Sequence, residues 1–190
     1  MHPAIKAIVG LAVGAVIVTT ASTAQAADNG PTLRPVAGRY SGTPGKYVGG
    51  GTAAKAYRNA DGSYTLAKLA TTNTDAYAAL IVDGVKGEQL DELGTFSFAP
   101  TGHLGGGSPR MNLFWENNDG DAAYDGYALL GGSSAVDADG RITIDLSTVK
   151  GFVDGAAPAP DATVSSLSIL VDEQGTSTID DVILDGETLR

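Results

Sequence analysis

Short runs in which apolar and polar residues alternate fill most of the chain after residue 51, and they constrain its fold more than any other feature. Turn-forming segments separate them, such as "NADG" at 59–62 and "DADG" at 137–140. Alternation with a period of two puts every second side chain on one face of a strand, and Gly, Asn and Asp favour the turns between strands. About nine such runs over residues 52–186 predict an all-β, single-domain, antiparallel β-sandwich, with one helical turn at 87–93.

The same alternation predicts the core, because one parity of each strand must face the opposing sheet. Trp115, the only tryptophan in the chain, shares its parity with apolar neighbours. We therefore predict that it is a core residue rather than a platform for a ligand, which is the alternative. The residues expected inside are Phe96, Phe98, Met111, Leu113, Trp115, Ile142, Ile144, Leu146, Leu167, Ile169 and Val171.

The first 26 residues have the layout of a secretory signal peptide. Lys6 precedes an apolar run, and small residues follow it up to Ala24-Gln25-Ala26, so cleavage is expected after Ala26. A membrane anchor is the alternative, but the run is shorter than the roughly 20 residues that a spanning helix needs. We predict a signal peptide at 1–26, an irregular N-terminal arm at 27–51, which is rich in Gly and Pro and contains a short strand near Leu33 to Val36, and the β-sandwich domain at 52–190. The mature protein is expected to be secreted and to have no membrane association.

Composition excludes several classes of function. The formal net charge of −10 disfavours binding to nucleic acid and to anionic lipid. There is no cysteine, and His103 is the only histidine after the signal peptide, so a zinc site and a nucleophile–base pair are not expected. Catalysis is uncertain and a non-catalytic role is favoured. The open alternative is a pair of carboxylates, of which Glu116 would be one, acting on a glycosidic bond.

The segment "RMNLFWE" at 110–116 raises the question of what its second face does. The outward parity combines charged, amide and aromatic side chains, which are able to stack on a ligand and to bond to its polar groups. Thr95 and Ser97 would join this face if their strand pairs with this one. The alternative is an ordinary solvated face with Phe114 covered by a loop. The candidate ligand-binding residues are Arg110, Asn112, Phe114, Glu116, Tyr124 and Tyr127.

The segment "VDEQGTSTIDDVILDG" at 171–186 resembles the closing strand of jelly-roll carbohydrate-binding modules. "LGTFSFAP" at 93–100 and "SPRMNLFW" at 108–115 also resemble adjacent strands of such secreted jelly rolls. The resemblance implies a sandwich of jelly-roll type, with a glycan held by aromatic and polar side chains across one sheet or at the loop tips. The chain departs from this pattern in having few aromatic residues, 6%, and no tryptophan that is obviously exposed.

In that superfamily an aspartate of the closing strand often helps to hold a structural calcium ion, together with oxygens from the N-terminal arm. Asp180 and Asp181 occupy the matching positions. The resemblance therefore implies calcium as the one possible cofactor. The alternative is that one aspartate is simply exposed and the other caps a turn.

The expected function is that of a secreted, non-catalytic protein that binds an extracellular or cell-wall polysaccharide. Two alternatives stay open. One is a small extracellular polysaccharide lyase or hydrolase on the same sandwich, and the other is a cell-surface structural or protein-interaction module.

Overall fold

A computed structural model of the chain describes residues 30–40, 47–49, 53–72, 74–117 and 124–190. Regular structure in these ranges is almost entirely strand. The helices there are single 3₁₀ turns at Leu90–Glu92, Ser133–Ala135 and Leu146–Thr148, the first within the predicted helical turn. None of these helices has the length and apolar character needed to cross a membrane. The predicted signal peptide lies outside the described residues.

The strands form two antiparallel sheets. The first sheet contains β1 (Thr32–Tyr40), β2 (Tyr47–Gly49), β5 (Ala76–Asp83), β7 (Arg110–Glu116), β8 (Gly126–Gly131) and β10 (Thr163–Val171). The second contains β3 (Ala54–Arg58), β4 (Tyr64–Lys68), β6 (Thr95–Gly102), β9 (Ile142–Asp145), β11 (Gly175–Leu184) and β12 (Glu187–Thr188). Their spatial orders are β2-β1-β5-β10-β7-β8 and β3-β4-β11-β6-β9, with β12 paired to β11.

The prediction of an all-β chain with two antiparallel sheets is confirmed, and each of the nine alternating runs overlaps one of the strands from β3 to β11. The eight strands from β4 to β11 pair in a nested way: β7 with β8, β6 with β9, β5 with β10 and β4 with β11. Apart from β7 and β8, which are neighbours in one sheet, successive strands of this set lie in opposite sheets, and the eight strands pair like one long hairpin with β7 and β8 as its innermost pair.

The short strand expected near Leu33 to Val36 within the arm is present, but it is longer than expected and covers residues 32–40. This nine-residue strand, β1, pairs with β5 from Thr32 opposite Asp83 to Arg39 opposite Ala76. Proline and glycine in this stretch indicate a loop, but proline is compatible with a strand edge where no backbone N–H is required. Pro35 meets that condition, because among the described residues β2 pairs only with residues 38–40 of β1, and no strand lies beside Pro35 opposite β5.

The core lies between the two sheets, and every residue that alternation placed there is buried. Trp115 is 3% exposed, so its prediction as a core residue is confirmed. A Cβ atom at Gly126, the residue opposite Trp115 on β8, would overlap the indole ring. The glycine therefore makes room for the largest side chain of the core.

The expectation that Thr95 and Ser97 share a face with Arg110 is wrong. Their strand, β6, pairs with β9 and β11 in the second sheet, whereas β7 belongs to the first. The two strands follow each other in the chain, but the connection between them crosses the sandwich.

Replacement of Trp115 by alanine should destabilise the fold strongly, because it leaves a large cavity in the core. We expect a loss of about 3–5 kcal/mol in the free energy of unfolding. Denaturant unfolding followed by circular dichroism is the appropriate measurement, since the substitution removes the only tryptophan. Tyr57→Ala is the matched control: Tyr57 is 50% exposed, and its loss should change the stability by only about 0.5 kcal/mol. Equal effects of the two substitutions would contradict the burial of Trp115.

Candidate functional site

Four aromatic rings gather on the outer face of the first sheet, at its β8 edge. We call Phe114, Tyr124, Tyr127 and Phe152 the aromatic edge cluster. Phe114 and Tyr127 lie directly opposite each other on β7 and β8, with stacked rings 5.5 Å apart. Tyr124 meets Phe114 edge-on at 5.2 Å, and Phe152 stacks on the other side of Tyr127 at 5.8 Å. Such offset and edge-on pairs are favourable arrangements of aromatic rings.

The loop that carries Phe152 is fixed to the sheet by backbone hydrogen bonds. The Phe152 N–H donates to the Tyr127 carbonyl (2.7 Å) on the free edge of β8. Within the loop, the Gly151 N–H donates to the Ala156 carbonyl (2.7 Å). The Asp154 carboxylate accepts from the Ala156 N–H (2.9 Å) and lies where a Cβ of residue 151 would be. Phe152 is therefore held in place before any ligand arrives, which lowers the entropy lost on binding.

A cleft of about 250 Å³ runs between this loop and the end of β8. Phe152 and Val153 are 62% and 79% exposed and form one wall. Tyr124 and Tyr127, both half-buried, contribute rings. The carboxylates of Asp125 and Asp154 complete the lining. The cleft thus combines exposed aromatic surface with hydrogen-bonding groups, as sites for small polar ligands commonly do.

The predicted binding residues divide between two places along β7. Phe114 has the outward parity expected of it, but it is only 6% exposed, and its ring packs against those of Tyr124 and Tyr127. Glu116 is half-buried on the same face. Tyr124 and Tyr127 line the cleft. Phe152 was missed from the sequence. Its only signal there is a large apolar residue within a stretch of small residues and prolines, "KGFVDGAAPAP".

Arg110 and Asn112, at the other end of β7, make contacts within the protein. The Arg110 guanidinium donates to both oxygens of the Asp172 carboxylate, each at 2.6 Å, and also to the Gly107 carbonyl and to Asn112 Oδ1. Asn112 is 3% exposed. These contacts hold the donors of Arg110 away from solvent, so the geometry gives no support to a role of either residue in binding a ligand.

Asp172 is the centre of a buried polar group that we call the corner network, formed by Lys68, Ser108, Arg110 and Asp172. Ser108 Oγ donates to Asp172 Oδ1 (2.9 Å). Lys68 is 1% exposed, and its Nζ donates to the carbonyls of Asp172 (2.7 Å), Thr74 (2.7 Å) and Thr72 (3.0 Å). Lys68 belongs to the second sheet and Arg110 to the first, so the network joins the two sheets where the chain crosses from β10 to β11.

The charges of the corner network shift the pKa values of its members. Burial alone would raise the pKa of Asp172, but the hydrogen bonds from Arg110 and Ser108 and the charges of Arg110 and Lys68 outweigh it, and the net pKa is lowered. Burial lowers the pKa of Lys68, and the charge of Asp172 opposes that shift. The network is therefore stable with Asp172 ionised.

His103 lies beside this corner and faces Glu173. Its Nε2 is 3.6 Å from Glu173 Oε2 and, although buried, has no hydrogen-bond partner in the part of the chain that the structure describes. The other oxygen of Glu173 accepts from the Gly107 N–H (2.7 Å). The nearby Ser108 hydroxyl donates to Asp172. A serine whose proton is directed to an acid does not form the Ser–His pair that nucleophilic catalysis uses.

Asp180 and Asp181 line a separate cavity of about 340 Å³ together with Asp61, Arg58 and Arg190. They lie at a bulge of β11, where the Asp181 carboxylate is 3.7 Å from the Arg141 guanidinium. Calcium requires six to eight oxygen ligands. Within the described ranges, no group of three or more His, Cys, Asp or Glu side chains is arranged to hold a metal ion. Calcium at Asp180 and Asp181 therefore stays a prediction.

Substitution of Asp172 by asparagine should destabilise the protein by about 3 kcal/mol near neutral pH, because it leaves Arg110 and Lys68 buried without their anion. The pKa of Asp172 is lowered in the folded state. Its ionised form therefore contributes stability above the ordinary carboxyl pKa of about 4, and that contribution is lost as the pH falls through the folded value. Denaturant unfolding from pH 7 to pH 2 should show that the difference in free energy of unfolding between wild type and variant becomes smaller below about pH 4. A difference that does not change with pH would contradict this account.

Calcium at the β11 bulge is tested by thermal unfolding with and without a chelator. Binding to the native state alone raises the melting temperature with ligand concentration. If calcium is bound there, chelation should lower the melting temperature of the wild type and leave Asp181→Asn unaffected. Asparagine tolerates the positive φ of 46° at this position. Identical wild-type curves with and without chelator would remove calcium from the account.

Comparison with known proteins adds no assignment to this geometry. A scan against protein-family models gives no match, and searches of curated proteins and of solved structures find no significant similarity. The candidate site therefore rests on the arrangement of the chain's own residues.

Proposed function

We propose that the chain is a secreted, non-catalytic protein that binds a polysaccharide, and that the aromatic edge cluster is where the glycan binds. The observation that carries the proposal is the Phe152 ring. It is mostly exposed, it stacks on Tyr127, and backbone hydrogen bonds hold its loop in position. An apolar ring fixed in solvent next to a polar cleft has no role in the core, and it is suited to bind a ligand.

The chemistry of the cleft suits a sugar. Aromatic rings pack against the C–H faces of pyranose rings, while phenol and carboxylate oxygens bond to hydroxyl groups. Burial raises the pKa of Tyr124, and the neighbouring Tyr127 adds to that shift. The phenol of Tyr124 therefore stays protonated at neutral pH and is able both to donate and to accept a hydrogen bond.

We also propose that the sandwich is of the jelly-roll type, and the nested strand pairing supports this. A jelly roll arises when a long antiparallel hairpin of eight strands wraps into two four-stranded sheets. Here the strands from β4 to β11 supply the pairs of such a hairpin, and they divide into β4-β11-β6-β9 and β5-β10-β7-β8. Lectin domains are among the proteins that use this architecture.

We propose binding without catalysis because the carboxylates in the cleft already have structural partners. Asp125 accepts from the Asn117 N–H (2.6 Å) and Asp154 from the Ala156 N–H (2.9 Å). Both shape the loops that carry them. A lyase or hydrolase remains an outcome of the test below, through the appearance of shortened products.

Export is part of the proposal and rests on the signal-peptide layout of residues 1–26. Intact-mass analysis of protein from a culture supernatant should find a chain that begins at Ala27. Retention of the first 26 residues on membrane-bound protein would overturn export.

A glycan array with the mature chain, followed by calorimetry with the best oligosaccharide, tests the binding site. Phe152→Ala should weaken binding by about 0.5–1.5 kcal/mol, because it removes a stacking surface. The fold should be unaffected, since the side chain is exposed. Tyr57→Ala is the matched control: it removes another exposed ring, from β3 of the other sheet, and should leave the affinity unchanged.

Three results would count against the proposal. Unchanged affinity of a folded Phe152→Ala variant would move the site away from the cluster. No binding to any glycan on the array would favour a structural or protein-interaction role. Shortened oligosaccharides after incubation, seen by chromatography, would favour the enzyme.

A further inference from the structure

We infer that the glycan bound at the aromatic edge cluster carries protonated amino groups, so that its class is a polymer of amino sugars rather than a neutral or acidic polysaccharide. This inference rests on the proposed function and specifies its ligand. It is carried by the charges that surround the rings of the cleft.

Two carboxylates flank the rings, and both are exposed. Asp125 precedes β8 beside Tyr124, and Asp154 follows Phe152 by two residues. Each accepts one backbone N–H, through Oδ2 in Asp125 and Oδ1 in Asp154. Those bonds orient the two carboxylates and use one oxygen of each. Within the described ranges, no hydrogen bond or ion pair engages the second oxygen of either carboxylate, so it is available to a ligand.

Positive charge is absent from the described residues that line this cleft. The nearest basic residue along the chain, Lys150, lines a different groove, which lies between β8 and β9. Glu116 adds a third carboxylate on the outer face of β7, two residues beyond Phe114. With a net charge of −10 for the whole chain, a uronate, sulfate or phosphate on the glycan would be repelled.

An ammonium group would be favoured twice in this cleft. It would donate charge-assisted hydrogen bonds to Asp125 and Asp154, which are roughly twice as strong as bonds between neutral groups. It would also lie near the faces of Phe152 and Tyr127, where a cation is attracted to the ring. A neutral sugar would use the rings and ordinary hydrogen bonds from its hydroxyl groups, without the added attraction between opposite charges. An amino sugar offers both the apolar face and the cation.

Calorimetry with three hexasaccharides of different charge tests the inference. The probes are hexaglucosamine with protonated amines, its fully N-acetylated neutral counterpart, and an oligogalacturonate. We expect the mature protein to bind hexaglucosamine at least about 10-fold more tightly than the neutral probe, and this preference should shrink as salt screens the charges. The uronate should not bind.

Two variants of equal charge change separate a specific contact from a general field. Asp154→Asn should reduce the affinity for hexaglucosamine by about 3- to 10-fold, and this loss should be clearly larger than its effect on the affinity for the neutral probe. Asp139→Asn is the control: it removes an exposed carboxylate from the turn between the Ser133–Ala135 helix and β9, and it should change neither affinity.

The outcomes distinguish failure of the inference from failure of the proposed function. Equal affinities for the charged and neutral probes, with Asp154→Asn silent, would overturn the inference and leave glycan binding intact. Equal losses in Asp154→Asn and Asp139→Asn would overturn it as well, because net charge alone would explain the preference. Tighter binding of the uronate would contradict it directly. No binding of any probe, together with an empty glycan array, would overturn both.

Discussion

Burial of every second side chain between the two sheets is the interaction on which the rest of this structure depends. The chain has no cysteine, so no disulfide supplements the packing of residues such as Phe98, Leu113 and Trp115. Once Leu113 and Trp115 face inward, the period of the strand forces Phe114 outward. The opposite residue on β8, Tyr127, is outward for the same reason. The Phe114–Tyr127 pair of the aromatic edge cluster is thus a direct consequence of the register that builds the core.

The corner network is the polar counterpart of that core. The Asp172 carboxylate accepts hydrogen bonds from the Arg110 guanidinium, and Lys68 donates to the Asp172 backbone carbonyl and adds its charge, at the point where the chain leaves one sheet for the other. Partly buried charges are tolerated only when they are paired and hydrogen-bonded. The network meets this condition through backbone carbonyls and Ser108. It also fixes one end of β7, while the rings of the aromatic edge cluster fix the other. One end of β7 is therefore held by the corner network, and the other end packs against the aromatic edge cluster.

The strands and the core were predictable from the sequence because both follow from local alternation, which survives folding unchanged. Three features were not. The full length of β1 was not predictable, because Pro35 and the surrounding glycines indicate a loop. Pro35 is acceptable in this strand because, among the described residues, only β5 pairs with that part of β1. The pairing of Arg110 with Asp172 spans 62 residues, and no pattern near Arg110 indicates it. Phe152 reaches Tyr127 through one backbone hydrogen bond from a loop. The alternation of the strand correctly predicts that Phe114 faces outward, but the packing of the neighbouring loops determines how much of its ring is exposed.

The central claim is that a glycan binds at the β8 edge of the first sheet, and mapping the bound ligand by nuclear magnetic resonance tests it most directly. The measurement is a titration of isotope-labelled mature protein with the oligosaccharide that the array identifies. The account predicts that the largest chemical-shift changes fall on the backbone amides of Tyr124, Tyr127 and the 151–156 loop, while those around Asp180 and Asp181 stay still. Changes centred on the β11 bulge, or on the corner network, with an unperturbed 151–156 loop would contradict it.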